Sequence, residues 1–294
     1  MPELPDVTVY LDCLAPRVLG QRLEQLVIRN PFVLRSVAPS PGEIAGARVT
    51  GLRRLGKRIV LELEGERFVV IHLMIAGRLR WLAADAKPPG RIALATARFA
   101  AGTLVLTEAG TKRRASIHLV EGESGLDPFK RGGLEVLEAD RQAFAERLRS
   151  ENHTVKRALT DPRLFSGIGN AYSDEILHRA RLSPLALTQK LDDEAVTILF
   201  DATRATLRDW IERLRAEVGA GFPDKVTAFR DGMAVHGRYG KPCPVCGAPV
   251  QRIRYADNET NYCARCQTGG RLLADRAMSR LLREDWPRSI DEVE

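Results

Sequence analysis

Four of the five cysteines are confined to residues 243 to 266, as Cys243-Pro-Val-Cys246, sixteen intervening residues and Cys263-Ala-Arg-Cys266. Two such pairs supply the four thiolates of a closed tetrahedral site, so the spacing predicts one structural zinc ion per chain, held by Cys243, Cys246, Cys263 and Cys266. A catalytic zinc needs an open coordination position, and no chemistry is therefore assigned to the metal. Between the pairs, Val250, Ile253 and Tyr255 lie in a β-like run. This predicts a hairpin with Asp257 and Asn258 at its tip. Arg252, Arg254 and Arg265 surround the hairpin, as suits a finger lying on a polyanion. Clustered thiols of this kind belong in a reducing compartment, and the solitary Cys13, in an apolar helical pattern, reads as a small core residue.

The remaining chain is long enough for more than one domain. Its 294 residues are 44% hydrophobic, with no apolar run approaching a membrane span and an acidic, proline-bearing start unlike a secretory signal. The expectation is a cytoplasmic, nucleoid-associated monomer with no membrane partner. A formal charge of +7 favours a polyanionic partner.

After Pro5, the residues Val7, Leu11, Leu14 and Val18 predict a helix with proline in its first turn. From about residue 21 to 120 the pattern turns to β, with strands expected over 58–64, 67–73, 91–96 and 104–106. Several short strands at close spacing indicate a sandwich or a barrel. The cluster Arg53, Arg54, Lys57 and Arg58 is either a solvated turn or a stretch that meets the N-terminus, and Lys112, Arg113 and Arg114 form a second basic run. His72, among apolar strand residues, reads as a hydrogen-bonded core histidine. Residues 121 to 134 lose periodicity and mark a domain boundary. Helices are expected over 141–149, 154–159, 171–181 and 192–218, and a helical tail over 271–285. Expected domain limits are 1–125, 135–225 and 235–270, with a tail at 271–294. Between the second and third helices, Gly167-Ile-Gly169-Asn170 allows backbone N–H groups to converge on an anion at a helix N-terminus that Asn170 caps.

The start itself, Met1-Pro2-Glu3-Leu4-Pro5-Asp6, carries the chemistry. Removal of Met1 makes Pro2 a secondary α-amine with a pKa near ~8, already part-deprotonated at neutral pH. Attack of that amine on a sugar C1′ gives a cationic iminium, an electron sink for eliminating the attached phosphates, and Glu3 is placed to shuttle protons.

Pro2-Glu3-Leu4-Pro5, Lys57, the Gly167-to-Asn170 turn and the four-cysteine finger together resemble the formamidopyrimidine-DNA glycosylase and endonuclease VIII family. The resemblance covers residues 2 to about 268. It implies an α+β chain in which an N-terminal β-sandwich with a leading helix precedes a helix-two-turn-helix domain and a zinc finger, with DNA in a cleft between the halves. By the same resemblance, Pro2 is the nucleophile, Glu3 the proton donor and shuttle, and Lys57 a catalytic-domain lysine near the lesion. Asn170 and Gly169 grip phosphate, and Lys156 reaches phosphate or the lesion pocket unless it is an ordinary surface lysine. Three departures from the family pattern stand out. Asn258 occupies the place of the finger arginine, which Arg252 or Arg254 replaces. Ile75, beside Met74, occupies the wedge position. Glu108-Ala-Gly-Thr-Lys-Arg-Arg114 stands where the oxidised-purine enzymes carry their Arg-Phe loop. The implied function is a bifunctional DNA glycosylase and abasic-site lyase acting on damaged double-stranded DNA, and also on single-stranded or abasic DNA. The alternative is a non-catalytic damaged-DNA-binding member.

Overall fold

The computed structural model describes every residue except 111, 224–225, 256–257, 275, 284–286 and 293–294, and for 276–278 the backbone alone. The chain divides into two compact units, Met1–Arg131 with Trp210–Thr227, and Gly132–Asp209 with Ala228–Glu294.

The first unit begins with helix α1, Leu4–Val18. Asp6 accepts the Glu3 N–H at 2.8 Å, half of a capping box, and Pro5 presets the first turn. Val7, Tyr10, Leu14 and Val18 recur at helical spacing and are fully buried against the sheets. Val9 and Cys13 bury a second face with Leu214, so Cys13 is a core residue whose thiol pKa is raised by burial.

Two four-stranded antiparallel sheets follow, with short helix α2, Pro41–Ile44, packed beside the first strand. One sheet has the order β1 (Gln25–Ile28), β6 (Ala93–Phe99), β7 (Gly102–Glu108), β5 (Gly77–Leu82). The other runs β2 (Val49–Leu55), β3 (Arg58–Leu63), β4 (Arg67–His72), β8 (Ser116–Glu121). Leu79, Leu94, Leu104 and Leu106 of the first sheet share one core with Ile59, Leu61, Val69, Ile71, Ile117 and Leu119 of the second. The register pairs Ile59 with Ile71 and Leu61 with Val69 on that inner face, and Val60 with Val70 on the outer one. The outer face is itself covered, because Leu126 of the 3₁₀ segment Glu123–Phe129 buries Val60, Phe68 and Val70. Burial on both faces explains why β3 and β4 read as nearly continuous apolar runs. The expected strands are all present, whereas β1, β2, β5 and β8 were not anticipated. Arg53 and Arg54 lie within β2, not in a solvated turn. Arg53 bonds Glu62 and both carboxylate oxygens of Glu123, at 2.8 and 2.9 Å, and Arg54 donates to the Gly56 carbonyl at 2.8 Å.

The second unit holds α3 (Arg141–Arg149), α4 (Val155–Thr160), α5 (Asn170–Arg179) and the start of α6 (Asp193–Val218). Asp140 and Thr154 cap α3 and α4 by accepting N–H bonds from Ala143 and Arg157. Phe144 packs against Phe165 and Phe200, with ring centres 4.8 and 5.4 Å away, at the centre of this helical core. The finger follows as β9 (Gln251–Tyr255), antiparallel β10 (Asn258–Tyr262) and α7 (Ala264–Thr268), around Val235, Val250, Ile253 and Tyr262. Asp257 of the expected hairpin tip lies outside the described residues. The tail helix α8 runs only Arg276–Leu282. Among the described residues, no helix is long and apolar enough to cross a membrane.

Candidate active site and nucleic-acid contacts

At the chain start, Pro2 and Glu3 are buried, Glu3 at 3% exposure, although both are polar or backbone-reactive groups at a terminus. The cause is local. Proline and the capping box fix the first turn of α1, whose apolar face is sunk into the sheets, and the residues preceding it follow inward. The Met1 terminal ammonium is held below its ordinary value, chiefly by burial. Glu3 and Asp6 oppose the shift, and Arg78 and Lys57 add to it. Two carboxylates and two cations thus converge on the chain terminus. Lys57 comes from the β2–β3 turn, which Gly56 makes possible at φ +60°. Arg78, at the start of β5, was not singled out from the sequence. Its only signal is its position just after the expected wedge.

That wedge is a tight turn between β4 and β5. The Gly77 N–H donates to the Leu73 carbonyl at 2.9 Å, and a Cβ at Gly77 would stand 2.3 Å from the same oxygen. Met74 adopts φ +52°, a strained conformation for its side chain. Ile75 at the apex is 60% exposed, and Arg78 donates to its carbonyl at 3.1 Å. In the loop after β7, the buried Glu108 carboxylate accepts from the N–H groups of Arg114 and Ala115, at 2.9 and 3.0 Å. Lys112, Arg113 and Arg114 are exposed around it, and Thr111 lies outside the described residues.

Among the described residues His72 has no side-chain hydrogen-bond partner, so it is not the hydrogen-bonded core histidine expected. It is half-buried beside Lys57, Arg58 and His118, and burial, then these neighbours, push its pKa from 6.5 to about 4, so the ring is neutral. His118 is lowered as well, by burial and then by Arg58 and Arg35.

In the second unit, Gly167 takes φ +80° and Gly169, not Asn170, is the N-cap of α5. Asn170 is the first helical residue, and its side chain donates to the Glu259 carbonyl at 2.9 Å, tying α5 to the finger hairpin. Lys156 is not a surface lysine. At 9% exposure its ammonium donates to Asp174 at 2.6 Å and to the Asn170 carbonyl at 2.7 Å. The other oxygen of Asp174 lies 2.7 Å from His236 Nδ1. Glu175 accepts the N–H groups of Ala234, Val235 and His236, at 2.7, 2.9 and 2.9 Å, and burial raises its pKa.

The sulfur atoms of Cys243, Cys246, Cys263 and Cys266 all lie within 4.8 Å of one another, with Cys246 to Cys263 at 3.4 Å and Cys243 to Cys266 at 3.9 Å. Tetrahedral zinc with Zn–S near 2.3 Å requires sulfurs roughly 3.8 Å apart, so the four residues fit that ion. His178 of α5 reaches Cys243 Sγ at 3.2 Å, and Gln267 accepts from Cys263 N while donating to the Leu182 carbonyl. Arg252 stacks over Tyr239, 4.0 Å from the ring centre, and lies 3.8 Å from Glu259. Arg254 is exposed two residues along the same strand face.

Residues 1–116 match the formamidopyrimidine-DNA glycosylase N-terminal domain, 133–219 the formamidopyrimidine-DNA glycosylase H2TH domain, and 240–269 the zinc finger found in FPG and IleRS. The formamidopyrimidine-DNA glycosylase of Heliobacterium modesticaldum is 32% identical over 284 residues, spanning 91% of this chain and 100% of that protein. Its counterpart in Thermus thermophilus is 34% identical over 285 residues, spanning 92% and 100%. Among solved structures, wild-type Lactococcus lactis FPG in complex with oxidized pyrimidine containing DNA superposes with a TM-score of 0.78 at 27% identity, covering 91% of this chain and 100% of that one.

Proposed function

Because the chain belongs to the formamidopyrimidine-DNA glycosylase family, we propose that it is a bifunctional DNA glycosylase and abasic-site lyase of base excision repair. The observation that carries this reading is the convergence of Glu3, Asp6, Lys57 and Arg78 on the chain start, beside the buried Pro2. With Met1 removed, the secondary amine of Pro2 attacks C1′ of the damaged nucleotide and the bond from C1′ to the base breaks. Glu3 protonates the opening sugar ring at O4′, which leaves a cationic iminium on Pro2. Loss of a C2′ proton then expels the 3′ phosphate, with the iminium as electron sink. Lys57 and Arg78 supply positive charge where phosphate charge must be held. Met1 would have to be absent from the active protein.

Asn170, Gly169 and the N–H groups of their turn bind backbone phosphate, and Arg252 and Arg254 place positive charge on the finger in the absence of a finger arginine at Asn258. Lys156 serves this surface indirectly, by anchoring the Asn170 carbonyl. The turn at Ile75, braced by Arg78, is the wedge that enters the stack when a base is extruded.

The test of the chemistry is borohydride trapping on abasic duplex. Wild type cross-links, and Pro2→Gly loses most of the adduct. For lesion choice, the apolar wedge is Ile75 with Met74 beside it, and the Glu108–Arg114 loop has no Arg-Phe pair. Abasic sites, oxidised pyrimidines and lesions in open DNA should therefore be processed faster than 8-oxoguanine opposite cytosine. Steady-state rates on a panel of duplexes check this, and a clear preference for 8-oxoguanine would reverse the ranking.

A further inference from the structure

We propose that the outer face of the β2-β3-β4-β8 sheet carries an additional phosphodiester-binding subsite, formed by Arg58 and His118 on the Phe129 ring together with Arg131, two residues further along the chain. It is continuous with Lys57 and His72 and extends the backbone contact of a DNA strand away from the chain terminus. It rests on the DNA-binding part of the function proposed above.

The argument is one of uncompensated charge. On this sheet face the cations at one end are neutralised by the protein itself: Arg53 by Glu62 and Glu123, and Lys130 by Asp127 and Glu123. At the other end the pattern stops. Arg58 is half-buried with its guanidinium 5.6 Å over the Phe129 ring, and His118 meets the same ring edge-on at 4.8 Å. Among the described residues, the groups acting on Arg58, His72 and His118 are Arg131, Lys57, Arg35 and one another, with no carboxylate among them. A half-buried arginine beside a second arginine is expensive unless an anion completes the site. The aromatic ring fixes the guanidinium in place, and the two neutral imidazoles are poised to take up protons as phosphate arrives. A row of such groups on one sheet face matches the repeating charge of a nucleic-acid backbone better than a single anion.

The test measures the affinity of wild type and variants for undamaged duplex DNA against salt concentration. Each phosphate contact contributes about 0.9 to the slope of log K on log salt. Arg58→Gln and Arg131→Gln are expected each to reduce the slope by roughly that amount, and Arg58→Lys to retain it. Arg98→Gln removes a cation paired with Glu24 and serves as the control for net charge. It should leave the slope as in wild type. Equal slopes in wild type and both glutamine variants would overturn the subsite. So would an equal loss in Arg98→Gln, or saturable binding of inorganic phosphate with an unchanged duplex slope. Undamaged DNA presents no reacting base, so failure of trapping at Pro2 would sink the enzymatic reading and leave this slope standing, and the converse holds equally. Arg131 is exposed, which keeps the test informative should Arg58→Gln fold poorly.

Discussion

Two clusters of ionisable groups, one in each unit, spend their charge in opposite ways. In the second unit, Lys156, Asp174 and His236 are buried and close on one another, with both Asp174 oxygens and the lysine ammonium satisfied at 2.6 to 2.7 Å. On the outer sheet face of the first unit, Arg58, His72 and His118 stand among cations and an aromatic ring, with no acid among the described residues acting on them. The first arrangement is scaffold: its charges hold α5, the α4 turn and the segment leading to the finger in register. The second is incomplete as protein alone. Internal neutralisation separates residues that build the fold from residues that await a polyanion, and basic composition by itself does not draw that line.

The largest effect expected on this contrast comes from the metal. A structural zinc contributes on the order of 10 kcal/mol to its own module. Chelation, or Cys263→Ser, should release one zinc per chain, unfold the hairpin and weaken DNA binding more than it unfolds the helices. Elemental analysis with far-ultraviolet circular dichroism checks both halves of that statement.

Next is Asp174→Ala. It leaves two buried basic groups without their shared acid, for which a loss of about 3–5 kcal/mol is expected in denaturant unfolding. A loss under ~1 kcal/mol would break the comparison, because the cluster would then not be scaffold.

The smallest effect concerns pH. His72 has a folded-state pKa near 4, below its ordinary 6.5. Its neutral form is favoured by the fold, so its stabilising contribution is complete above pH 6.5 and is lost as pH falls through about 4. His72→Gln should flatten the stability curve between those values. A bound duplex should do the reverse and raise the histidine's pKa, which NMR titration of the free and DNA-bound protein would reveal.

What could be read from the sequence was local. The CxxC spacing, the proline-capped first helix and the apolar runs of β3 and β4 each carry their signal within a few residues, and the zinc site followed from the first of them, whereas the full α+β architecture was implied by the family resemblance. Strand β2 was illegible because Arg53 finds its acids nine and seventy residues away, at Glu62 and Glu123. Asn170 reads as a cap by type, yet Gly169 takes that place and the Asn170 amide donates one bond to the finger. Lys156 reads as a phosphate or lesion-pocket contact, or else a surface lysine, because Asp174, eighteen residues on, reveals its partnership only in the folded chain. His72 was misjudged for the same reason: its neighbours are contributed by β3 and β8. Arg78 carried no pattern at all beyond its place after the wedge.

The central claim is that the chain terminus, and not a lysine, is the nucleophile. Reduction of the wild-type protein with borohydride on an abasic duplex, followed by proteolysis and mass spectrometry, tests it most directly. The account predicts a sugar adduct on the N-terminal peptide, beginning at Pro2 with Met1 absent. An adduct mapped to Lys57, or covalent capture by a protein that retains Met1, would contradict it.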